Sequence, residues 1–422
     1  MSISWGLQKC SSAIRTATTI ILLKRSNPVP PEWHHVTKVD PEEEKRLPIG
    51  FPFYLQHTDA VSVGGSNGVT AQNTEETFSL LEVLKTPAFH EPSEARHVTE
   101  RTRERAEFLA IPEVLNGETS ALVGTLGEGI EYLNDELLPE LLESKLSRSV
   151  YSLLGDSLVD FATSWLLDQA VFEAYIVQNP ESAAAKRSGV TEDDVLSPSV
   201  ARQRALVADR HLGSEIVYVE YSGTYGEKEA VRVLQSISAD VTRARVWYGG
   251  GIDDRQKSAE ILAAGADTVV VGDIFHDIAD EEVRIIRGAR SDLDEDPSPN
   301  DIRRWIRNEV NIESTVIFRY LRTIPSVRSP ELLAERYLSL TLGLFFVART
   351  SESETHRASF RRSLDLVDTI FPDEKQQIES AFGGAGVTWR RYITDIVLPT
   401  TTSTTTETPV HHLSFAELSE DI

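Results

Sequence analysis

The chain of 422 residues contains one cysteine, Cys10, so it can form no internal disulfide. Lysine is scarce, with 10 against 32 arginines, and the 66 acids outnumber the 42 bases to leave a net charge of −24. No Lys/Arg block interrupts that charge. Such a surface repels nucleic acid and anionic membranes, so no nucleic-acid partner is expected. Abundant carboxylates keep a surface hydrated, a composition suited to a salty cytoplasm, and a cytoplasmic location is expected. The longest apolar run, Tyr337–Ala348, is shorter than the ~20 residues a membrane-spanning helix needs. Residues 1–26 hold four bases and no acid. A transit peptide has that composition, but the plainer expectation is a disordered leader over 1–32. Familiar catalytic signatures are missing: there is no GxSxG, no Walker loop and no HExxH. The pairs His34-His35 and His411-His412 lack metal-ligand spacing with any partner.

What is there is alternation. Short β-branched runs at 35–39, 60–64, 87–91, 107–111, 173–177, 216–221, 245–248 and 268–272 read as strands. Helical patterns at 74–85, 201–211, 227–237, 254–264 and 279–290 lie between them. This grammar predicts a (β/α)8 TIM-type barrel over 33–290. A doubly wound sheet is the alternative, but DPEEEK after the first strand offers no glycine-rich dinucleotide turn. The stretch 117–172 is too long for one crossover. Its leucines recur every three or four residues, which predicts a helical insertion that covers the barrel, lines a pocket or meets a second copy. After the linker DEDPSPND, helical patterns at 301–321, 330–349, 355–371, 373–383 and 388–396 predict an all-α appendage over 291–399. The Thr-rich run at 400–408 predicts a disordered tail over 400–422.

Barrel enzymes work at the C-terminal ends of their strands. Here the strands end in Lys38-Val39-Asp40, Gly65-Ser66, Glu220-Tyr221-Ser222-Gly223, Gly249-Gly250-Gly251 and Gly272-Asp273. Glycines after the sixth, seventh and eighth strands let backbone N–H groups face an anion, which favours a phosphate cradle over plain turns. Asp40 is a candidate Mg2+ ligand or the start of a turn, and Ser66 a candidate to assist it. Tyr218 and Glu220 share one face of their strand. Glu220 there is either a base for a substrate hydroxyl, with Tyr218 holding the same oxygen, or the partner of Lys38 in a buried ion pair. Lys38 in turn could pair with Asp40 or Glu220.

The ordered set KVDP, VGGSNGVT, AIPEVLN, EAYIVQNPES, VYVEYSGTYG, YGGGI and ADTVVVGD closely resembles the geranylgeranylglyceryl phosphate synthase family of prenyltransferases, in particular salt-loving archaeal members, over about 33–290. The resemblance implies a modified TIM barrel that joins sn-glycerol 1-phosphate to geranylgeranyl diphosphate with Mg2+ and releases diphosphate, the first ether-bond step of archaeal membrane lipids. It implies Asp40 and Ser66 at the Mg2+, and Lys38, Tyr218, Val219, Glu220, Tyr221, Ser222, Gly223, Gly251, Gly272 and Asp273 at the glycerol phosphate, with Glu220 as base. A homo-oligomer working close to the membrane surface is also expected. The leader and the appendage have no counterpart in the family pattern. Two other readings compete: a phosphosugar-type barrel enzyme, and a non-catalytic barrel that scaffolds lipid enzymes.

Overall fold

The computed structural model describes residues 27–42, 44–65, 68–118, 125–146, 148–350, 356–370, 382, 387–399, 412–415 and 418. Eight strands form one parallel sheet: β1 (His35–Val39), β2 (Ala60–Val63), β3 (Ala88–His90), β4 (Ala110–Val114), β5 (Val171–Val177), β6 (Ile216–Tyr221), β7 (Arg245–Gly250) and β8 (Thr268–Val271). Their order is β3-β2-β1-β8-β7-β6-β5-β4. An isolated His90–Leu109 bridge joins the outermost pair and closes the TIM-type barrel. All eight expected strands are present. The fourth lies three residues later than 107–111, because Glu107 and Phe108 are used to bond β3 and close the barrel.

Helices fill the crossovers. They are α1 (Phe51–Leu55) after β1, α2 (Ala71–Leu81) after β2, α3 (Glu100–Arg105) after β3, then α4 (Thr125–Tyr132), α5 (Leu138–Lys145) and α6 (Arg148–Gln169) after β4. Next come α7 (Ala183–Ser188) and α8 (Pro198–Val207) after β5, α9 (Glu227–Ser238) after β6, α10 (Arg255–Ala263) after β7 and α11 (Asp273–Asp292) after β8. The long stretch after β4 is helical as expected, with a π turn at Leu133–Leu137 joining α4 to α5.

Beyond the barrel lie α12 (Pro299–Glu309), α13 (Val316–Thr323), α14 (Pro330–Thr350), α15 (His356–Ile370) and α16 (Val387–Arg391). The single helix expected over 301–321 is two, separated by a 3-10 turn at Ile312–Ser314. Of the helix expected at 373–383, only Phe382 is among the described residues.

These helices do not stand apart from the barrel. Helix α1 is only five residues long and all five are buried, so something must cover it. The cover is α14, whose residues Tyr337–Ala348 are all buried. The apolar run too short for a membrane is thus a core helix. Phe53 of α1 packs within 6.0 Å, ring to ring, of Tyr337, Phe382, Trp389 and Tyr392. Burying each such ring stabilises the fold by about 1.5–3 kcal/mol. One hydrophobic cluster runs from the outer faces of β1 and β2 through α11 into α14.

Polar contacts fix the same surface. Tyr320 OH lies 2.8 Å from Thr37 Oγ1, and Thr323 Oγ1 lies 3.0 Å from His35 Nε2. Burial lowers the His35 pKa to about 3 and keeps it neutral. The buried Glu282 of α11 accepts from Ile49 N–H (2.6 Å), Gly50 N–H (3.0 Å), Tyr54 OH (2.8 Å) and Ser414 Oγ (2.7 Å). Within the tail expected to be disordered, residues 412–415 are therefore packed: Leu47 N–H donates to His412 O and Ser414 N–H to Leu47 O. Within the expected leader, Asn27 donates to Glu215 O at 2.7 Å, and Val29 is buried in the cluster that fills the barrel interior. Residues 1–26 lie outside the described residues.

Candidate active site

Alternation along each strand decides which side chains face inward. Tyr218 and Glu220 point into the barrel, whereas Val219 and Tyr221 pack in the outer cluster beneath the helices. Val219 and Tyr221 therefore offer a ligand no side chain. The inward set opens two cavities at the C-terminal rim. A polar lobe of about 690 Å³ is lined by Asp40, Gly223, Gly251, Gly272 and Asp273 among others. An inner lobe of about 190 Å³ is lined by Glu91, Pro112, Val114, Tyr175 and Glu220 among others. Lys38, Ala183, Tyr218 and Ser222 line both, so the lobes meet there. Ser66 lies outside the described residues; its neighbour Gly65 lines the inner lobe.

Lys38 does not pair with Asp40 or Glu220. Its Nζ bonds Glu91 at 3.0 and 3.2 Å, and Glu91 also accepts from Ser62 Oγ and Tyr175 OH. Burial pulls the Lys38 pKa down, but Glu91, Asp40 and Glu220 outweigh it and hold the pKa above the ordinary lysine value. Tyr175 stacks on Tyr218 at 4.3 Å, nearly parallel. Burial raises both phenol pKa values, so both remain proton donors. Glu220 accepts the Ser222 N–H at 3.0 Å. Burial still raises its pKa, against the pull of Ser222 and Lys38, and makes it a stronger base than a free carboxylate.

Deeper in the barrel sits Glu173, fully buried, and among the described residues neither of its carboxyl oxygens has a hydrogen-bond partner. Burial, then the charge of Glu91, raises its pKa well above the usual range.

At the polar end, Lys45 reaches back over Asp40. Its Nζ pairs with Asp40 and with Asp273 at 3.0 Å, and Glu42 lies 3.9 Å away. Carboxylates thus converge on one cationic point. Among the described residues no group of three or more His, Cys, Asp or Glu is placed to hold a metal by itself. His276 fixes this loop from behind: its Nε2 accepts the Asp40 N–H at 3.0 Å while Nδ1 faces Arg46 O, which requires the neutral ring. Burial lowers its pKa accordingly.

Two glycines are required by geometry. Gly223 has φ +84°, and a Cβ at Gly249 would lie 2.1 Å from Tyr218 OH. The amides of the GGGI run are partly committed: Gly251 N–H donates to Thr224 O at 2.7 Å, and Ile252 N–H donates to Gly250 O. The open donors belong to the first turn of α11, where Gly272, Asp273 and Ile274 line the polar lobe.

Sequence reasoning missed Glu91, Glu173, Tyr175 and Lys45. The alternation that marked Tyr218 and Glu220 also marks Glu173 and Tyr175 in VFEAYIV. Glu91 follows the third strand by one residue and had the same end-of-strand signal as Asp40. Lys45 had none, since its position depends on how the β1–α1 loop folds back.

Fold and rim together define a (β/α)8 barrel with a glycine-walled, two-lobed pocket at the mouth. The chain belongs to the PcrB family, whose model matches residues 30–290. It is 32% identical over 264 residues to a heptaprenylglyceryl phosphate synthase of Bacillus thuringiensis (strain Al Hakam), covering 62% of this chain and 97% of that protein. A heptaprenylglyceryl phosphate synthase of Bacillus cereus (strain B4264) is 31% identical with the same coverage. The solved (S)-3-O-geranylgeranylglyceryl phosphate synthase of Thermoplasma acidophilum, in complex with sn-glycerol-1-phosphate, aligns at a TM-score of 0.43. It shares 19% identity and covers 60% of this chain and 89% of its own. No described helix is long and apolar enough to cross a membrane.

Proposed function

We propose that this protein is a glyceryl phosphate prenyltransferase, transferring a prenyl group from its diphosphate to a glycerol phosphate hydroxyl. One observation carries the reading: a polar lobe and an inner, more apolar lobe meet at Lys38, Tyr218 and Ser222, with Glu220 beside the junction. Family membership and the names of the curated relatives support it.

The acceptor's phosphate lies against Gly223, Gly272 and the first turn of α11, where unpaired N–H groups and the helix dipole favour an anion. Its hydroxyl points to the junction. Glu220 takes the hydroxyl proton as oxygen attacks the allylic carbon, and Tyr218 donates a hydrogen bond to the same oxygen. The new C–O bond forms as the bond from carbon to diphosphate breaks. Holding both substrates at one junction removes much of the entropic barrier. The donor's reacting end occupies the inner lobe among Pro112, Val114 and Ala184.

Mg2+ suits the donor set here, a hard carboxylate already facing a cation, with substrate phosphates free to complete the shell. Asp40 would hold it, with Ser66 as the second candidate. A bound Mg2+ supplies charge neutralisation for the departing diphosphate. Lys45, paired with Asp40 and Asp273, holds the two carboxylates of this end together.

The resemblance puts geranylgeranyl diphosphate and an archaeal lipid pathway first, whereas the curated relatives are named for a heptaprenyl group. The deciding assay supplies purified protein with sn-glycerol 1-phosphate and labelled prenyl diphosphates of both lengths, with and without Mg2+. Ether product is expected with Mg2+, and Asp40→Ala should lower turnover about 10³-fold. Absence of product at every donor length would sink the reading.

A further inference from the structure

The polar lobe is crowded with like charge. Asp40, Glu42, Glu181, Asp253, Asp273 and Asp277 line it, against Lys38, Lys45 and Arg319. A phosphate monoester entering such a lobe meets repulsion unless a cation is free to receive it. Lys38 is committed to Glu91, and Lys45 to Asp40 and Asp273. Arg319 is different. Among the described residues its guanidinium enters no ion pair and no side-chain hydrogen bond, and Asp277 and Glu281 sense its charge without pairing.

Its support is rigid. Arg319 stands on α13, beside Tyr320, whose hydroxyl bonds Thr37 of β1, and the helix start is held by Ile317 N–H donating to Glu281 at 3.1 Å. Helix α13 packs on α10 and α11, the two helices that follow the glycine-ended strands β7 and β8. The guanidinium therefore reaches the lobe from the wall that carries Gly251 and Gly272. Arg319 also lies outside residues 30–290, the part that matches the family.

We infer that Arg319, supplied by the C-terminal helices, binds the phosphate group of the acceptor substrate and completes an anion site that the barrel leaves short of free positive charge. The inference rests on reading the polar lobe as the glycerol phosphate site. A planar fork suits a phosphate better than an ammonium does, because it donates two parallel hydrogen bonds. The role is one of substrate binding and leaves the reacting carbon alone.

Calorimetric titration with sn-glycerol 1-phosphate, paired with steady-state kinetics, tests this in wild type, Arg319→Ala and Arg319→Lys. Loss of a charge-assisted contact predicts roughly 10- to 100-fold weaker binding and a matching rise in KM for R319A. The KM for the prenyl diphosphate and the melting temperature should stay put, since the side chain is exposed. R319K should recover part of the binding. If wild type binds the acceptor and R319A binds it within twofold, the inference fails while the reading of the lobe stands. If R319A instead lowers the melting temperature with unchanged affinity, Arg319 serves structure and the inference fails. A wild type that binds no glycerol phosphate sinks both.

Discussion

Two buried carboxylates, Glu282 and Glu173, show how differently the two halves of this molecule are built. Glu282 sits under the C-terminal helices and is met by Ile49, Gly50, Tyr54 and Ser414. Glu173 sits inside the barrel with no hydrogen-bond partner among the described residues. A fully satisfied buried group is structural: its donors belong to several segments and it ties them together. An unsatisfied one is tolerated where polar groups are gathered for a ligand, and Glu173 is in the company of Lys38, Glu91, Tyr175 and Tyr218. The carboxylate under the outer helices thus serves cohesion, whereas the one inside the barrel stands beside the pocket-lining polar groups without tying segments together.

The largest test of that contrast is removal of the shell. A chain ending at residue 290 keeps the whole family-matched barrel but strips the cover from α1 and exposes Phe53, Tyr54 and Tyr320's partner surface on β1. It is expected to lose cooperative unfolding by calorimetry; a two-state transition near the full-length midpoint would break the claim that the shell is integral. Next, Glu282→Ala strands several buried donors, each worth ~1–3 kcal/mol, and should lower stability by about 3–5 kcal/mol in denaturant titration.

Glu282 also gives a pH signature. Burial raises its pKa to about 7 despite the donors around it. A raised folded-state value means its stabilisation is complete below about pH 4.5 and is lost as pH rises through about 7. Stability should decline across that window, and Glu282→Gln, though less stable overall, should flatten the slope. Inside the barrel, Glu220→Gln should leave the melting temperature nearly unchanged yet lower kcat by about 10²–10⁴-fold. The smallest effect is expected from Glu173→Gln. Burial already disfavours the charged form of Glu173, and the amide imitates the protonated carboxyl, so activity should stay within roughly threefold and the melting temperature should hold or rise. A large loss of activity there would show that Glu173 ionises in the catalytic cycle.

The barrel was legible because its signals are local. Strand alternation and strand-end glycines marked β6, β7 and β8, and the rim residues Asp40, Gly223, Gly251 and Gly272 do line one lobe. The start of β4 was the hardest to bound, since Glu107 and Phe108 extend the strand-like run but are used to bond β3. The shell was illegible as a shell. Amphipathic periodicity revealed helices but gave no hint that all of Tyr337–Ala348 would be buried, among the C-terminal helices, α11 and a five-residue helix nearly 300 positions earlier. For the same reason nothing in the sequence singled out Arg319. Its position in the lobe follows from Tyr320 docking on Thr37, a contact between distant parts of the chain.

The near-collision of Gly249 with the Tyr218 hydroxyl has an evolutionary consequence. Position 249 cannot drift alone: a methyl group there demands a smaller residue at 218, and the phenol at 218 demands a bare backbone at 249. Homologues that keep the phenol should therefore keep the glycine, and a lineage that abandons the phenol is where a substituted residue at 249 would first be found.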